Sequence, residues 1–262
     1  MKDAMGDRLK NNYENRSKTF LIRRSYHFIR LDGKAFHTYT RKCKRPFDLE
    51  LMEDMDLTAK YLLERIQGAK CAFVQSDEIT ILFTDNDGIN TELFFDGNIQ
   101  KIVSTTASMA GAKFNQRRMM RLGSVLTDED MLAAFDSRVF SVPDFGEVPN
   151  IILWRQLDAI KNSVQMVAQA NFSHKECQNK NTDQLKQMLL DKGVNWADCP
   201  VGFQRGRFIV KEEYTVPAGE TINKKGKSIK VPEHSRNRWV VKDAPEFLLN
   251  KDAIYSLIKK DV

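Results

Sequence analysis

Tyr26–His37 reads YHFIRLDGKAFH. Its first six residues, Tyr26 to Leu31, have the β-branched and aromatic content of a strand. The run stops at Asp32–Gly33, and Lys34 to Lys42 reads as a tight loop or the start of a helix. A carboxylate at the mouth of a strand, beside a glycine, suits a hard metal ion. The Asp brings oxygen charge, and the Gly lets its own carbonyl and the passing backbone come close. An ordinary Asp-Gly turn has the same sequence.

A second stretch shifts that balance. Cys71–Phe83 reads CAFVQSDEITILF, two apolar runs flanking the acidic pair Asp77–Glu78. The pattern is a hairpin with carboxylates at its tip, although the turn lacks the Asn-Gly or Asp-Gly of the commonest hairpins. Ionised carboxylates beside buried strands are costly unless a cation pairs with them. Two Mg²⁺ ions shared by Asp32 and Asp77 meet that need, as in nucleotidyl transfer. A solvated acidic turn is the plain alternative.

The chain has 262 residues, enough for one large domain or a core with an appendage. It is 42% hydrophobic and 29% charged, an ordinary balance for a globular chain. No uninterrupted apolar run approaches about 18 residues, so neither a membrane span nor a membrane partner is expected. The amino-terminal MKDAMGDRLKNNYENRSK is charged throughout, without the apolar core of a signal peptide. Cys43, Cys71, Cys177 and Cys199 form no C-x-x-C and read as reduced thiols of a cytoplasmic protein. A net charge of +6 favours a polyanionic partner. The cations crowd the carboxy-terminal third, from Arg205, Arg207 and Lys211 through Lys224, Lys225, Lys227 and Lys230.

Periodicity supplies the other elements. Asp48–Gln67 reads as an amphipathic helix, with Met52, Met55, Ala59, Leu62, Leu63 and Ile66 on one face and Gly68 as its stop. Asn98–Arg118 reads as a second helix. A short helix over 127–134 leads to a strand entered at Asp136–Phe140. Ser141–Asn150, with two Pro and a Gly, reads as a loop, and Asn150–Asn171 as a long helix. A helix over 183–192 follows, then strands over 208–214 and 238–241 with a turn at Lys224–Lys227, and a closing helix over 247–258. From Tyr26 to Phe140 the order is β-α-β-β-α-β, which by itself supports an α+β fold.

IRLDGKAFH followed by QSDEITILF resembles the tRNA(His) guanylyltransferase family, and the resemblance continues along most of the chain. In that family an Asp-Gly-x-x-Phe-His motif and a Ser-Asp-Glu motif build a metal and nucleotide site. The resemblance implies a polymerase palm-like, ferredoxin-like βαββαβ core over residues 1–148. Residues 149–262 are then a helical and β-rich extension, packed on the core and binding tRNA. It implies that Asp32 and Asp77 bridge two Mg²⁺ ions, with the Gly33 carbonyl as a further ligand and Glu78 as a third acidic group of the catalytic set. Gly33, Lys34, Ala35, Phe36, His37 and Ser76 surround the nucleotide. Arg45, before Pro46, helps hold it. Lys101 and Arg138 hold a triphosphate; for Lys101 a surface helix lysine is the plain alternative.

Trp154-Arg155-Gln156-Leu157-Asp158 matches the family's Arg-Gln-x-Asp. The tRNA(His)-specific enzymes continue with His-Ile-Asn-x-Leu-Tyr-Asn. Here the chain has Ala159-Ile160-Lys161-Asn162-Ser163-Val164-Gln165, and only Asn162 falls on a motif asparagine. This is similar to the guanylyltransferase-like branch, associated with templated repair of truncated tRNA 5′ ends. Arg155, Asn162, His174, Lys175, Arg205 and Lys225 are the candidate RNA contacts. The implied activity is Mg²⁺-dependent 3′-to-5′ nucleotide addition to tRNA, with GTP and ATP as substrates, by a cytoplasmic homotetramer. Addition of the extra 5′ G to tRNA(His) is the alternative within the family. A non-catalytic RNA-binding protein is the more distant one. A palm-type nucleotide cyclase is disfavoured because its Gly-Gly-acidic-Glu-Phe signature is absent.

Overall fold

The computed structural model describes residues 3–123, 132–222, 228–250 and 252–258. The amino-terminal helix α1 (Ala4–Asn12) buries none of its residues. Strand β1 (Tyr26–Gly33) follows, then the one-turn helix α2 (Phe36–Tyr39) and helix α3 (Leu49–Leu63). Asp48 caps α3 by accepting from the backbone N–H groups of Glu50 and Leu51. The chain returns through β2 (Ala69–Gln75) and β3 (Glu78–Thr84), then helix α4 (Ile99–Leu122) and strand β4 (Phe135–Val142). The strands pair antiparallel in the order β4-β1-β3-β2, so the two interior strands are not neighbours in sequence.

The carboxy-terminal part begins with helix α5 (Glu147–Asn171), followed by α6 (His174–Cys177), α7 (Thr182–Asp191) and α8 (Val201–Arg205). Strand β5 (Arg207–Val216) then pairs with β2 over Cys71–Val74. After the separate hairpin of β6 (Gly219–Ile222) and β7 (Ser228–Val231), strand β8 (His234–Asp243) pairs with β5 and completes a six-stranded antiparallel sheet. Helix α9 (Asp252–Ile258) is the last described element.

Each face of this sheet carries its own core. Ile29, Leu31, Ile79, Ile81 and Phe83 meet Met55, Ala59 and Leu62 of α3 and Ile102, Ala110 and Phe114 of α4. Phe28, Phe73, Leu82 and Phe208 on the other face meet Val148 and Ile152 of α5, together with Phe247 and Ile254. Every residue of β2 and β3 is buried. That explains why Cys71–Phe83 shows no polar alternation: strands covered on both faces have no solvent side. The edge strand β4 alternates, with buried residues only at its ends.

Two sequence expectations change. The loop expected over 141–150 shrinks to four residues, because β4 runs to Val142 and α5 begins at Glu147. Pro149 therefore lies in the first helical turn, where a backbone N–H has no intrahelical acceptor to lose. The closing helix starts at Asp252 rather than 247. Phe247 instead sits in the core and donates its N–H to Gln156 Oε1 at 2.9 Å, which holds the chain off a helical path. The short helix expected over 127–134 falls mainly outside the described residues, and Leu132–Ala134 carry no regular structure.

Buried aspartates tie α3 to its neighbours. Asp54 on α3, wholly buried, receives Arg121 at 2.8 Å, Arg118 at 3.3 Å and Arg117 at 3.5 Å from α4. Asp56 on the same helix receives Arg207 of β5 at 2.8 Å. None of the four cysteines is in a disulfide. Among the described residues no helix is long and apolar enough to cross a membrane.

Candidate active site

Asp32 and Asp77 arrive from neighbouring strands. β1 and β3 pair with Asp32 opposite Glu78, and the Gly33 N–H donates to the Asp77 carbonyl at 3.2 Å. This clamps the Asp-Gly motif to the hairpin tip. Ser76 and Asp77 form a two-residue connection, because Gln75 pairs with Glu78. Ser76 takes a φ of 44° to close it.

Gly33 is required by its neighbour. A Cβ there would come within 2.2 Å of the Phe36 ring. That ring cannot yield easily, since Phe114, Phe135 and Tyr39 surround it at centroid distances of 5.0–5.6 Å. The turn from Gly33 into α2 passes through Ala35 at φ 54°, a left-handed conformation unusual for alanine. The Lys34 N–H fixes the outer side by donating to the Ala134 carbonyl at 2.8 Å.

The Asp77 carboxyl is pushed up to about 6. Burial is the largest cause; its own backbone N–H offsets part, and the charge of Asp32 raises it further. A buried Asp77 carboxyl whose ionisation is further disfavoured by the charge of Asp32 gains from a cation. Among the described residues no group of three or more His, Cys, Asp or Glu side chains converges to hold a metal. Two carboxylates and the Gly33 carbonyl suit an ion that keeps several waters and takes its remaining ligands from phosphates, which is how Mg²⁺ binds.

Beside this pair opens a cavity of about 490 Å³. It brings together Gly33, Ala35, Phe36, His37, Arg45, Ser76, Asp77 and Asn162, eight residues singled out from the sequence. Lys34, Lys101 and Arg138 lie outside its lining. Lys34 is exposed beside the Gly33 turn, and Lys101 is exposed on the first turn of α4. Arg138 is 53% exposed and faces Asp136 at 3.4 Å. Register places Asp136 opposite Asp32, so Arg138 shares the sheet face of that carboxylate.

Glu78 and Arg155 have a different part from the one expected. Arg155 Nε and Nη2 donate to the two Glu78 oxygens at 2.7 and 2.6 Å, and Nη2 also reaches Asp158 at 2.7 Å. Both residues are buried, at 5% and 6% exposure, and Arg30 Nε stands 3.9 Å from Glu78. The Arg155 guanidinium is thus engaged inside the fold and is not offered to RNA. His174 lines a neighbouring cavity of about 180 Å³ with Lys180, and Lys175 is exposed beside it. Arg205 donates to the Ala244 carbonyl and approaches Glu246 at 3.7 Å. Lys225 lies outside the described residues.

Gln165, Met166 and Gln169 also line the large cavity. With Asn162 they form a stripe at helical spacing along α5. The signal was present as polar residues opposite the apolar face of that helix.

The chain was also compared with known proteins. The sequence profile described as tRNAHis guanylyltransferase matches residues 7–143. A bacterial tRNA(His) guanylyltransferase (Thg1)-like protein in complex with ATP superposes with a TM-score of 0.81 at 38% identity, covering 97% of this chain and 99% of that one. A structure of the same description in complex with GTP gives 0.77 at 39% identity, covering 98% and 99%. The tRNA(His) guanylyltransferase of Debaryomyces hansenii is 23% identical over 221 residues, 79% of this chain and 82% of that protein.

Proposed function

The chain belongs to the tRNA(His) guanylyltransferase family and is a nucleotidyltransferase, and from that premise we propose that it repairs truncated tRNA 5′ ends by templated, Mg²⁺-dependent addition in the 3′-to-5′ direction. The observation that carries this reading is the cavity lined by Gly33, Ala35, Phe36, His37, Arg45, Ser76 and Asp77, with Asp32 beside Asp77. A nucleoside triphosphate such as ATP or GTP fills the cavity. Its phosphates lie toward the carboxylate pair, whose residues Asp32 and Asp77 would hold Mg²⁺; the ion would supply a lowered pKa for the attacking hydroxyl and charge stabilisation for the leaving group.

The protein's own residues position the reactants. Asp32, Asp77 and the Gly33 carbonyl are the metal ligands. The backbone at Ala35, Phe36 and His37 follows the phosphates, with Arg45 as counter-charge. Lys34, Lys101 and Arg138 meet phosphates that extend past the cavity. Glu78 acts through Arg155, keeping the strand end beneath Asp77 rigid. The 3′-hydroxyl of the incoming nucleotide attacks the activated 5′ phosphorus of the tRNA; that P–O bond forms while the bond to AMP or pyrophosphate breaks.

The β-α-β-β-α-β core is on this reading a polymerase palm, with residues 149–262 as the tRNA-binding extension. His174, Lys175, Arg205 and Asn162 remain RNA contacts, and the working assembly is a homotetramer. The 159–165 stretch, which keeps only Asn162 of the His-Ile-Asn-x-Leu-Tyr-Asn motif, favours repair. The name carried by the curated relative favours a second reading, extra-G addition to tRNA(His). Incubation with Mg²⁺, ATP and GTP tests the two, comparing a tRNA that lacks its first nucleotide with intact tRNA(His). Addition to the truncated tRNA is expected; addition only to tRNA(His) replaces the first reading by the second.

A further inference from the structure

Trp154 is 47% exposed on α5, an unusual setting for an indole. Its neighbours decide which side is open. The Arg155 guanidinium lies 4.5 Å from the ring centroid and that of Arg30 lies 5.5 Å from it. Both cations converge on the same oxygen of the buried Glu78, Arg155 Nη2 at 2.6 Å and Arg30 Nε at 3.9 Å. They therefore share the inward side of the indole, and its outer side meets solvent. The cation–π contacts hold the ring in one place.

The ring stands near the carboxylate pair. Arg30 precedes Asp32 by two residues on β1, so the two share a sheet face about 6.7 Å apart along the strand. Arg138 lies opposite Arg30 on β4 and is exposed. None of Trp154, Arg30 and Arg138 lines the nucleotide cavity. The α5 wall of that cavity begins at Asn162, two turns or about 12 Å further along the helix. The open indole and the exposed arginine thus form a second surface beside the same strand ends.

Nucleotide addition needs such a surface. The attacking and leaving oxygens lie roughly in line across the phosphorus. A leaving group held in the cavity therefore puts the attacking hydroxyl, and the nucleotide that carries it, outside the cavity. We propose that the base of the incoming nucleotide stacks on the open side of Trp154, which makes Trp154 a positioning residue for the attack. The inference rests on the nucleotidyl-transfer reading of the site. The exposed Arg138 complements the charge of the nucleotide. Stacking reads no base edge, and every base has a π face. An indole platform therefore accepts all four nucleotides and leaves the choice among them to the template.

Addition of each matched nucleotide to a 5′-triphosphorylated truncated tRNA tests this, with the wild type, Trp154→Leu and Trp154→Phe compared. The triphosphate makes prior activation with ATP unnecessary. Trp154→Leu keeps an apolar side chain but loses the π face. It is expected to raise KM for the incoming nucleotide about tenfold, by a similar factor for all four, with kcat held within about twofold. Trp154→Phe is expected to stay within about threefold of the wild type. A second readout is independent of turnover. The chain has three tryptophans, and its fluorescence is expected to fall when the matched nucleotide joins the tRNA complex, a fall that Trp154→Phe loses. An unchanged KM in Trp154→Leu, a loss in Trp154→Phe as large as in Trp154→Leu, or quenching that survives in Trp154→Phe overturns the inference while addition by the wild type stands. Failure of the wild type to extend the truncated tRNA removes the repair reading itself, and the inference with it.

Discussion

Replacing Arg155 by Met leaves the Glu78 carboxylate buried without the two charge-assisted bonds at 2.6 and 2.7 Å that now hold it. Removing one partner of a buried ion pair costs about 3–5 kcal/mol, most of it from the stranded charge. Here Arg30 stands 3.9 Å away and Thr80 Oγ1 already donates at 3.2 Å, so the loss falls at the lower end of that range, about 3 kcal/mol. For a chain of this size each kcal/mol shifts Tm by roughly 2–4 °C, which gives a fall of roughly 6–12 °C. The loss has a sign in pH. A stranded buried carboxylate has a raised pKa in the folded state, so the folded variant holds its proton to higher pH than the unfolded chain does. The deficit against wild type is therefore small below the ordinary glutamate pKa and grows as pH rises through the raised value. Urea unfolding at pH 5 and pH 8 measures both parts. The double variant Glu78→Gln/Arg155→Met should recover much of the loss and lose the pH dependence, because it removes the charge with its partner. A single variant within about 0.5 kcal/mol of wild type at both pH values would refute the assignment of this pair as a structural anchor.

Asp32→Ala and Asp77→Ala should each abolish nucleotide addition while keeping the circular dichroism of the wild type; normal turnover in either ends the metal-site reading. Because the Asp77 carboxyl is pushed up to about 6 in the metal-free fold, its ionisation lowers stability as pH rises from about 4 through 6. The Tm gain on adding Mg²⁺ should accordingly be larger at pH 7.5 than at pH 5, and a gain independent of pH would contradict the two-carboxylate site. Gly33→Ala forces a methyl into the locked Phe36 ring and should cost about 1–3 kcal/mol together with nearly all activity, as thermal melting and an addition assay would report. Affinity for tRNA should fall steeply between 50 and 200 mM salt, as expected for phosphate contacts, and a flat response would exclude a basic RNA face.

The strands of the sheet were legible because their signals are local. Tyr26–Leu31 and the two halves of Cys71–Phe83 announce themselves by β-branched and aromatic residues, and the acidic motifs stand at their ends. The helices over Leu49–Leu63 and Ile99–Leu122 were legible from apolar spacing, and Asp48 and Asn98, at which those readings began, are their N-caps in the structure. What the sequence concealed depends on distance along the chain. Nothing local says that Phe208 pairs with Phe73 and carries the sheet past β2. Nor does anything local say that Glu78 is taken by Arg155, 77 positions away, so the Ser-Asp-Glu motif looks like three equivalent site residues. The structure divides them: Asp77 faces the cavity, Glu78 anchors the strand, and Ser76 turns the chain between β2 and β3. The polar stripe of α5 was hidden by its own helix, whose apolar face is the stronger periodic signal.

Templated addition is the central claim, and the identity of the added nucleotide tests it most directly. A tRNA lacking its first nucleotide is prepared in four forms that differ only in the base opposite the missing position, and each is offered all four nucleoside triphosphates with Mg²⁺. The account predicts that the added nucleotide changes with the template base and is its Watson–Crick complement in each case. Addition of G alone, whatever base stands opposite, would contradict it.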